Sequence, residues 1–387
     1  MDESYEGREQ SAAKHLMLEA YLEKLAYKVG SFSAETLNYI DGFAGPWESK
    51  TTDLSDTSPS LALRQLLEVR DQLATKGRVI AVRAFFVSRS RSGAKQLRAL
   101  GNTFSAAAIE VVQSTFEDAL GAASCFARGG REPFTFIFID HTGWTGFGLQ
   151  EITPLLRTGR NEVLINFMTG HITRFIDSDD ARYEPSFRRL FGDQSASYRN
   201  EWRGLSRLDR EDRIVDTYCQ RVALAGNYRH CVSSVILNPT VDRSHFHLVY
   251  GTRSDEGLVT FREIERAGLK FQRDERAVVQ QRAEESRSGQ GFLFRAPMLV
   301  SRTYEDELRE RYCGHAFRVL DGMIRDQSPV PWNELVLTAL QIPMIAEADV
   351  KMWLKERQSD GAVEVLGLAP NQRVPQRDHD HLVRRLK

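Results

Sequence analysis

Short apolar runs separated by helical patterns constrain the fold of this chain more than any other feature. Strand candidates recur at Leu37–Asp41, Ala84–Ser88, Glu110–Gln113, Phe134–Asp140 and Glu162–Phe167, with helical stretches between them, notably Pro59–Leu73 and Gly93–Leu100. Strands that alternate with helices over this length imply a parallel sheet with right-handed crossovers. Ahead of the first strand, Ser11–Val29 carries Leu16, Leu18, Tyr21, Leu22, Leu25 and Val29 at spacings near three and four, among Lys and Glu. That pattern predicts an amphipathic helix that docks on the first strand and ends at Gly30.

Two of the strands end on a carboxylate. The run Tyr39-Ile40-Asp41-Gly42-Phe43-Ala44-Gly45-Pro46 stops at Asp41 and turns through two glycines, and Phe136-Ile137-Phe138-Ile139-Asp140-His141 repeats the logic. A strand that ends in an acidic, glycine-bearing loop brings backbone N–H groups and a charge to one sheet edge, where open α/β sheets hold nucleotide-like ligands. With 387 residues, the chain has room for one large α/β domain and a smaller one. Its formal net charge of −1 argues against wrapping a polyanion, so a nucleic-acid site would have to be a local basic patch. Cys125, Cys219, Cys231 and Cys313 lie far apart without a C-x-x-C pair and read as reduced, mostly buried residues. With no signal peptide and no apolar run approaching membrane length, the expected location is the cytoplasm, and no metal site is predicted.

After Phe167 the character changes. Residues 170–227 look helical and rich in Arg, Asp, Tyr and Phe. Arg174, Arg182, Arg188 and Arg189 are interleaved there with Tyr183, Phe187 and Phe191, a pattern that suits nucleic-acid contacts and equally a solvated amphipathic helix. Two late strands, Cys231–Leu237 and His245–Thr252, fit an antiparallel edge on the parallel sheet; His245 and His247 share a face there, which suits a metal or plain sheet packing. The expected organisation is an N-terminal helix over 1–30, a Rossmann-like domain over 31–260 with the helical insertion, a charged helical linker over 261–300, and a C-terminal domain over 301–387. In the last, helices Trp332–Leu340 and Ala348–Gln358 followed by a hairpin of Val363–Leu366 with Arg373–Pro375 outline a winged helix. Its basic tail would then lie beside the wing, suited to phosphate contacts or to protein docking.

The chain resembles the three-Cys-motif partner protein (TcmP) family. The likeness rests on Tyr39–Pro46, Ser58-Pro59 opening a helix, Phe138-Ile139-Asp140 with Gly143-Trp144, Leu164–Met168, Arg174-Phe175, Leu190-Phe191-Gly192 and Leu248–Thr252. The resemblance implies a Rossmann-like methyltransferase sheet that uses S-adenosylmethionine, and a partner that is a three-cysteine iron–sulfur protein.

By the same resemblance, Asp41, Gly42, Phe43, Ala44 and Gly45 would cradle the methionine part of the cofactor, with Asp41 facing its ammonium group. Trp47 stands where such loops carry another glycine. Ser88, with Arg89 after it, stands where this fold places an acid for the ribose hydroxyls. That departure implies weaker cofactor binding, a phosphorylated ligand, or a surface arginine with no ligand. Asp140 falls where amino-methyltransferases carry the aspartate of D-P-P-[YF], and the chain reads Asp140-His141-Thr142-Gly143-Trp144 there. Asp140 would orient an acceptor amine and Trp144 would stack on its base. His141 would act as a base or as a structural residue. The expected activity is methyl transfer to a nucleic acid or nucleotide-like amine. The alternatives are a degenerate methyltransferase scaffold that binds nucleic acid or protein, and a metal-dependent hydrolase using Asp41 and Asp140.

Overall fold

In the computed structural model, residues 5, 7–45, 54–141, 143, 146–176, 178, 180–192, 201–288 and 303–386 are described. They form two compact units, Met1–Ser254 and Asp255–Lys387.

The first unit is built on seven strands: β1 (Thr36–Asp41), β2 (Ala81–Ser88), β3 (Ala108–Gln113), β4 (Pro133–Ile139), β5 (Arg160–Phe167), β6 (His230–Leu237) and β7 (Ser244–Thr252). They lie in the order β3-β2-β1-β4-β5-β7-β6. β1 to β5 are parallel, while β7 runs antiparallel to both β5 and β6. This is the mostly parallel, antiparallel-edged sheet expected from the sequence, and it is consistent with a Rossmann-like methyltransferase fold. The chain leaves β1 toward β2 and β3 on one side and resumes with β4 on the other, so the strand order reverses between β1 and β4. In open α/β sheets the ligand crevice lies at such a reversal.

Alternate residues of each strand serve opposite faces. Tyr39, Phe86 and Phe136 pack together on the face that also receives Tyr21 of α1 (Glu9–Phe32). Ile40, Phe85, Ile137, Ile139, Val163, Ile165 and Val249 belong to the other face. They join Phe116 and Phe126 of α4 (Phe116–Ala127), Ile152 of α5 (Leu149–Leu156) and Tyr218 of the helix Arg207–Gly226. Each fully buried aliphatic or aromatic side chain contributes roughly 1.5–3 kcal/mol. Helices α2 (Ser58–Thr75) and α3 (Arg91–Thr103) follow β1 and β2. Ser90 caps α3 by accepting from the Gly93 amide at 2.9 Å. Between β5 and β6 the described residues are helical, with α6 (Thr169–Phe175), α7 (Glu184–Phe191) and α8 (Arg207–Gly226). Gly30, expected to close α1, lies inside it. A Cβ there would sit 2.7 Å from Leu73 Cδ1, so the glycine lets α1 approach α2, and the helix runs on to Phe32.

The second unit begins with α9 (Asp255–Ser288), which corrects the expected linker over 261–300. Leu258, Phe261 and Ile264 are buried, and so is the Arg262–Glu265 ion pair at 2.7 Å. Mixed charge therefore conceals an apolar stripe at helical spacing; the last part of that predicted linker, 289–300, lies outside the described residues. Next come α10 (Tyr304–Gln327), β8 (Val330–Pro331), α11 (Trp332–Ala339), α12 (Glu347–Ser359), β9 (Val363–Leu366) and β10 (Leu382–Arg385). The three strands are antiparallel in the order β8-β10-β9. The expected hairpin partner Arg373–Pro375 is corrected to Leu382–Arg385. Pro370 and Pro375 carry no amide hydrogen for a ladder, whereas Val383 is fully buried. None of the described helices is long and apolar enough to cross a membrane.

Candidate functional site

Helix α1 precedes β1, so it runs back across the sheet and its first turns come to the edge where the parallel strands end. Asp41, the last residue of β1, is 1% exposed. Its Oδ1 accepts from the Phe43 amide at 3.0 Å, and its Oδ2 accepts from the Ser58 hydroxyl at 3.0 Å. Burial pushes this carboxyl up to about 7; the neighbouring Asp140 charge adds to the rise, while the Phe43 and Ser58 hydrogen bonds and the Lys14 ammonium restrain it.

Asp140 follows the last residue of β4, the strand beside β1. Its Oδ2 is ion-paired with Lys14 Nζ, and its Oδ1 accepts from Asn166 Nδ2 at 2.7 Å. Burial alone would raise this carboxyl. The Lys14 charge, with hydrogen bonds from Lys14 and Asn166, outweighs burial and holds it below the ordinary range. Two carboxylates on neighbouring strand ends are thus driven apart, Asp140 anionic and Asp41 near its neutral point. That division is how a site assigns different proton roles to like groups.

Because ionised Asp140 only accepts, the Asn166 amide must turn its NH2 toward it. This leaves Asn166 Oδ1 buried and without a partner among the described residues, an acceptor beside a carboxylate at the sheet edge. Asn166 does not cap α6, whose N-cap position is Met168.

Lys14 was not legible as a site residue among the charges of α1. Its side chain is 9% exposed, and its ammonium lies 5.9 Å from the Phe246 ring centre. The available signal was spacing: Lys14 precedes Leu18 by four and Tyr21 by seven, which puts it on the apolar face. His15 beside it is also buried, and its Nδ1 meets the Tyr5 hydroxyl 2.8 Å away. Burial, aided by the Lys14 charge, lowers its imidazole to about 3, so it stays neutral. Arg8 and Asp56 pair at 2.8 Å and tie the entry of α1 to the segment before α2.

The loops after Asp41 and Asp140 meet through aromatic rings. Phe43 lies 5.9 Å from the His141 ring, 5.4 Å from Phe116 and 6.2 Å from Phe147, and His141 meets Phe147 edge-on at 5.0 Å. His141 is 2% exposed, which places the expected base inside this cluster as a wedge between loops. A Cβ on Gly42 would lie 2.7 Å from Phe116 Cε2, so its bare backbone accommodates that ring. Ala44 is buried and Gly45 half-buried beside it, and Ser88 is buried at the end of β2 with Arg89 exposed after it. Trp47, Thr142 and Trp144 lie outside the described residues.

The other expected clusters resolve into local pairs. His247 Nε2 meets Glu211 Oε1 at 2.9 Å, and among the described residues no group of three metal-ligating side chains exists. Arg182 pairs with Asp180, Arg188 with Glu184, and Arg189 with Glu117 and Glu151. In the second unit Arg377 pairs with Glu256 and Glu347, and Arg384 with Glu364. The four cysteines are free thiols.

No family model matches the sequence, and no curated protein matches it. Among solved structures, the chain is similar to a protein from Legionella pneumophila (strain Philadelphia 1) at 12% identity and a TM-score of 0.34, over 63% of this chain and 85% of that one. It is similar to an O-methyltransferase family protein from Burkholderia thailandensis at 14% identity and a TM-score of 0.27, over 60% of this chain and 55% of that one. A loganic acid methyltransferase with SAH follows at 6% identity and a TM-score of 0.28, over 74% of this chain and 92% of that one. These scores are low, so the fold assignment rests on the strand order rather than on the likenesses.

Proposed function

We propose that this protein transfers a methyl group from S-adenosylmethionine to an amine of a nucleic acid or nucleotide-like acceptor. The observation that supports it most is the pair of carboxylates, Asp41 and Asp140, at the ends of the two strands that flank the reversal of strand order. The donor set suits the cofactor's amino-acid end. Asp41 can receive its ammonium, and Lys14 can receive its carboxylate. When bound, the cofactor supplies an electrophilic methyl group. The chain's part is to orient the acceptor: Asp140 and the open Asn166 Oδ1 both accept hydrogen bonds and would hold the two hydrogens of an exocyclic amine. Ser88 would lie at the ribose, and Trp144 would stack on the acceptor base. In this reading the second unit, where α10, β8, α11, α12, β9 and β10 follow one another, would act as a winged helix that engages nucleic acid or the iron–sulfur partner.

Titration calorimetry with S-adenosylhomocysteine and a radiolabelled methyl-transfer assay on mixed RNA and DNA test the proposal. Binding in the micromolar range and transfer lost in Asp140→Ala are expected. No binding at millimolar ligand would sink it. A second reading, a binding protein on a methyltransferase scaffold, is favoured by Ser88 at the place of the ribose acid. It predicts nucleic-acid or partner binding that survives Asp140→Ala.

A further inference from the structure

Lys14 is the one described cation that meets Asp140, and its side chain, 9% exposed, is more enclosed than the carboxylate it neutralises, at 20%. Its ammonium is close enough to Asp41 to influence that carboxyl too. Neighbouring strands lie about 4.8 Å apart, so carboxylates at the ends of β1 and β4 stand within the span of one amino-acid head group. A zwitterion placed there with its ammonium toward Asp41 turns its carboxylate toward Lys14. An enclosed ammonium cannot leave one anion without gaining another, because an unpaired buried charge is strongly disfavoured. A ligand must therefore bring an anion of its own, as an amino-acid carboxylate does, to draw Lys14 away from Asp140.

We infer that Lys14 is shared between Asp140 and the amino-acid carboxylate of the cofactor, so that cofactor binding releases Asp140 to the acceptor amine. The inference rests on the methyltransferase reading above and deepens it. Asp140 Oδ2 is engaged by Lys14 and Oδ1 by Asn166. While that holds, the carboxylate is compensated and polarises an amine weakly. Once Lys14 turns to the cofactor, Oδ2 is open and its charge is uncompensated. The acceptor then meets a competent Asp140 only after the cofactor is in place. Binding order is thereby set by a single side chain. Lys14 acts here as a binding and positioning residue.

The test compares two probes by calorimetry: S-adenosylhomocysteine, which carries the amino-acid group, and 5′-methylthioadenosine, which lacks it. Lys14→Met is expected to weaken S-adenosylhomocysteine by about ten- to a hundredfold, the weight of one charge-assisted bond, and to leave 5′-methylthioadenosine within about twofold. Asp140→Asn removes the competing anion while keeping the side-chain shape. It is expected to tighten S-adenosylhomocysteine by roughly three- to tenfold, again with 5′-methylthioadenosine unmoved. The second variant keeps the test decisive if Lys14→Met does not fold. Equal weakening of both probes in either variant would show a merely structural pair and overturn the inference while leaving the methyltransferase reading standing. Absence of binding of either probe to the unaltered protein at millimolar concentration would overturn both together.

Discussion

The hydroxyl of Ser58, the first residue of α2, donates to Asp41 Oδ2 across 3.0 Å and ties the end of β1 to the start of the helix seventeen residues on. Among the described residues Asp41 is therefore buried without a cation of its own, held by one hydroxyl and the Phe43 amide. Its carboxyl is as much a folding liability as a ligand group, and that tension can be measured.

Asp41 has a native value of about 7 against 3.8 for the free group. Between those limits the native state holds a proton that the unfolded chain has lost, so stability falls as pH rises through this window and is least above it. Asp41→Asn keeps the acceptor for Phe43 and removes the charge. Urea melts should show the variant more stable than wild type at pH 8, by up to about 4 kcal/mol, and the gap closing toward pH 4. Equal pH slopes for the two proteins would refute the assignment.

Gly42→Ala places a methyl group against the face of Phe116. A loss of about 1–3 kcal/mol is expected, as for other overpacked cores. Phe116→Leu in the same chain should recover part of it, and a double-mutant cycle would measure the coupling.

Glu211 and His247 form a buried pair on the α8 side of the sheet edge. Burial would raise the Glu211 carboxyl, but the His247 hydrogen bond and charge outweigh it and hold it low. Glu211→Ala leaves His247 Nε2 without its acceptor and should cost about 2–4 kcal/mol in thermal or denaturant unfolding. Glu211→Gln, which can still accept, should cost less than half of that. A larger loss for Gln than for Ala would contradict the pairing.

In the second unit, the Arg262 guanidinium donates to the Leu340 carbonyl at 2.8 Å and pairs with Glu265, while Glu265 Oε2 also accepts the Met344 amide at 3.2 Å. Arg262→Ala removes the donor to the carbonyl and the charge that neutralises the buried carboxylate. Its expected cost is about 3–5 kcal/mol, seen as early exposure of the 340–346 turn in hydrogen exchange. Replacing both partners, Arg262→Met with Glu265→Leu, should restore much of the loss.

Much of the first unit was readable because strands announce themselves by short apolar runs and helices by three-and-four spacing. The order of five strands, the late antiparallel pair and both strand-terminal aspartates needed only local pattern. Asn166 lies at the same edge because it stands near the end of β5. The second unit was less legible. Leu382–Arg385 reads as a basic tail until Val383 is seen buried, and α9 reads as solvated because its stripe of Leu258, Phe261 and Ile264 is diluted by charge.

The sequence by itself determined the alternation of strands and helices, hence the sheet edge where Asp41 and Asp140 both end, because side-chain periodicity is a local property of the chain. The tertiary structure alone decided what those carboxylates are. Lys14 reaches Asp140 from 126 residues away, and Ser58 reaches Asp41 from 17. Burial and the distance between charges set protonation, and both arise only when the helix before the first strand folds back over the edge.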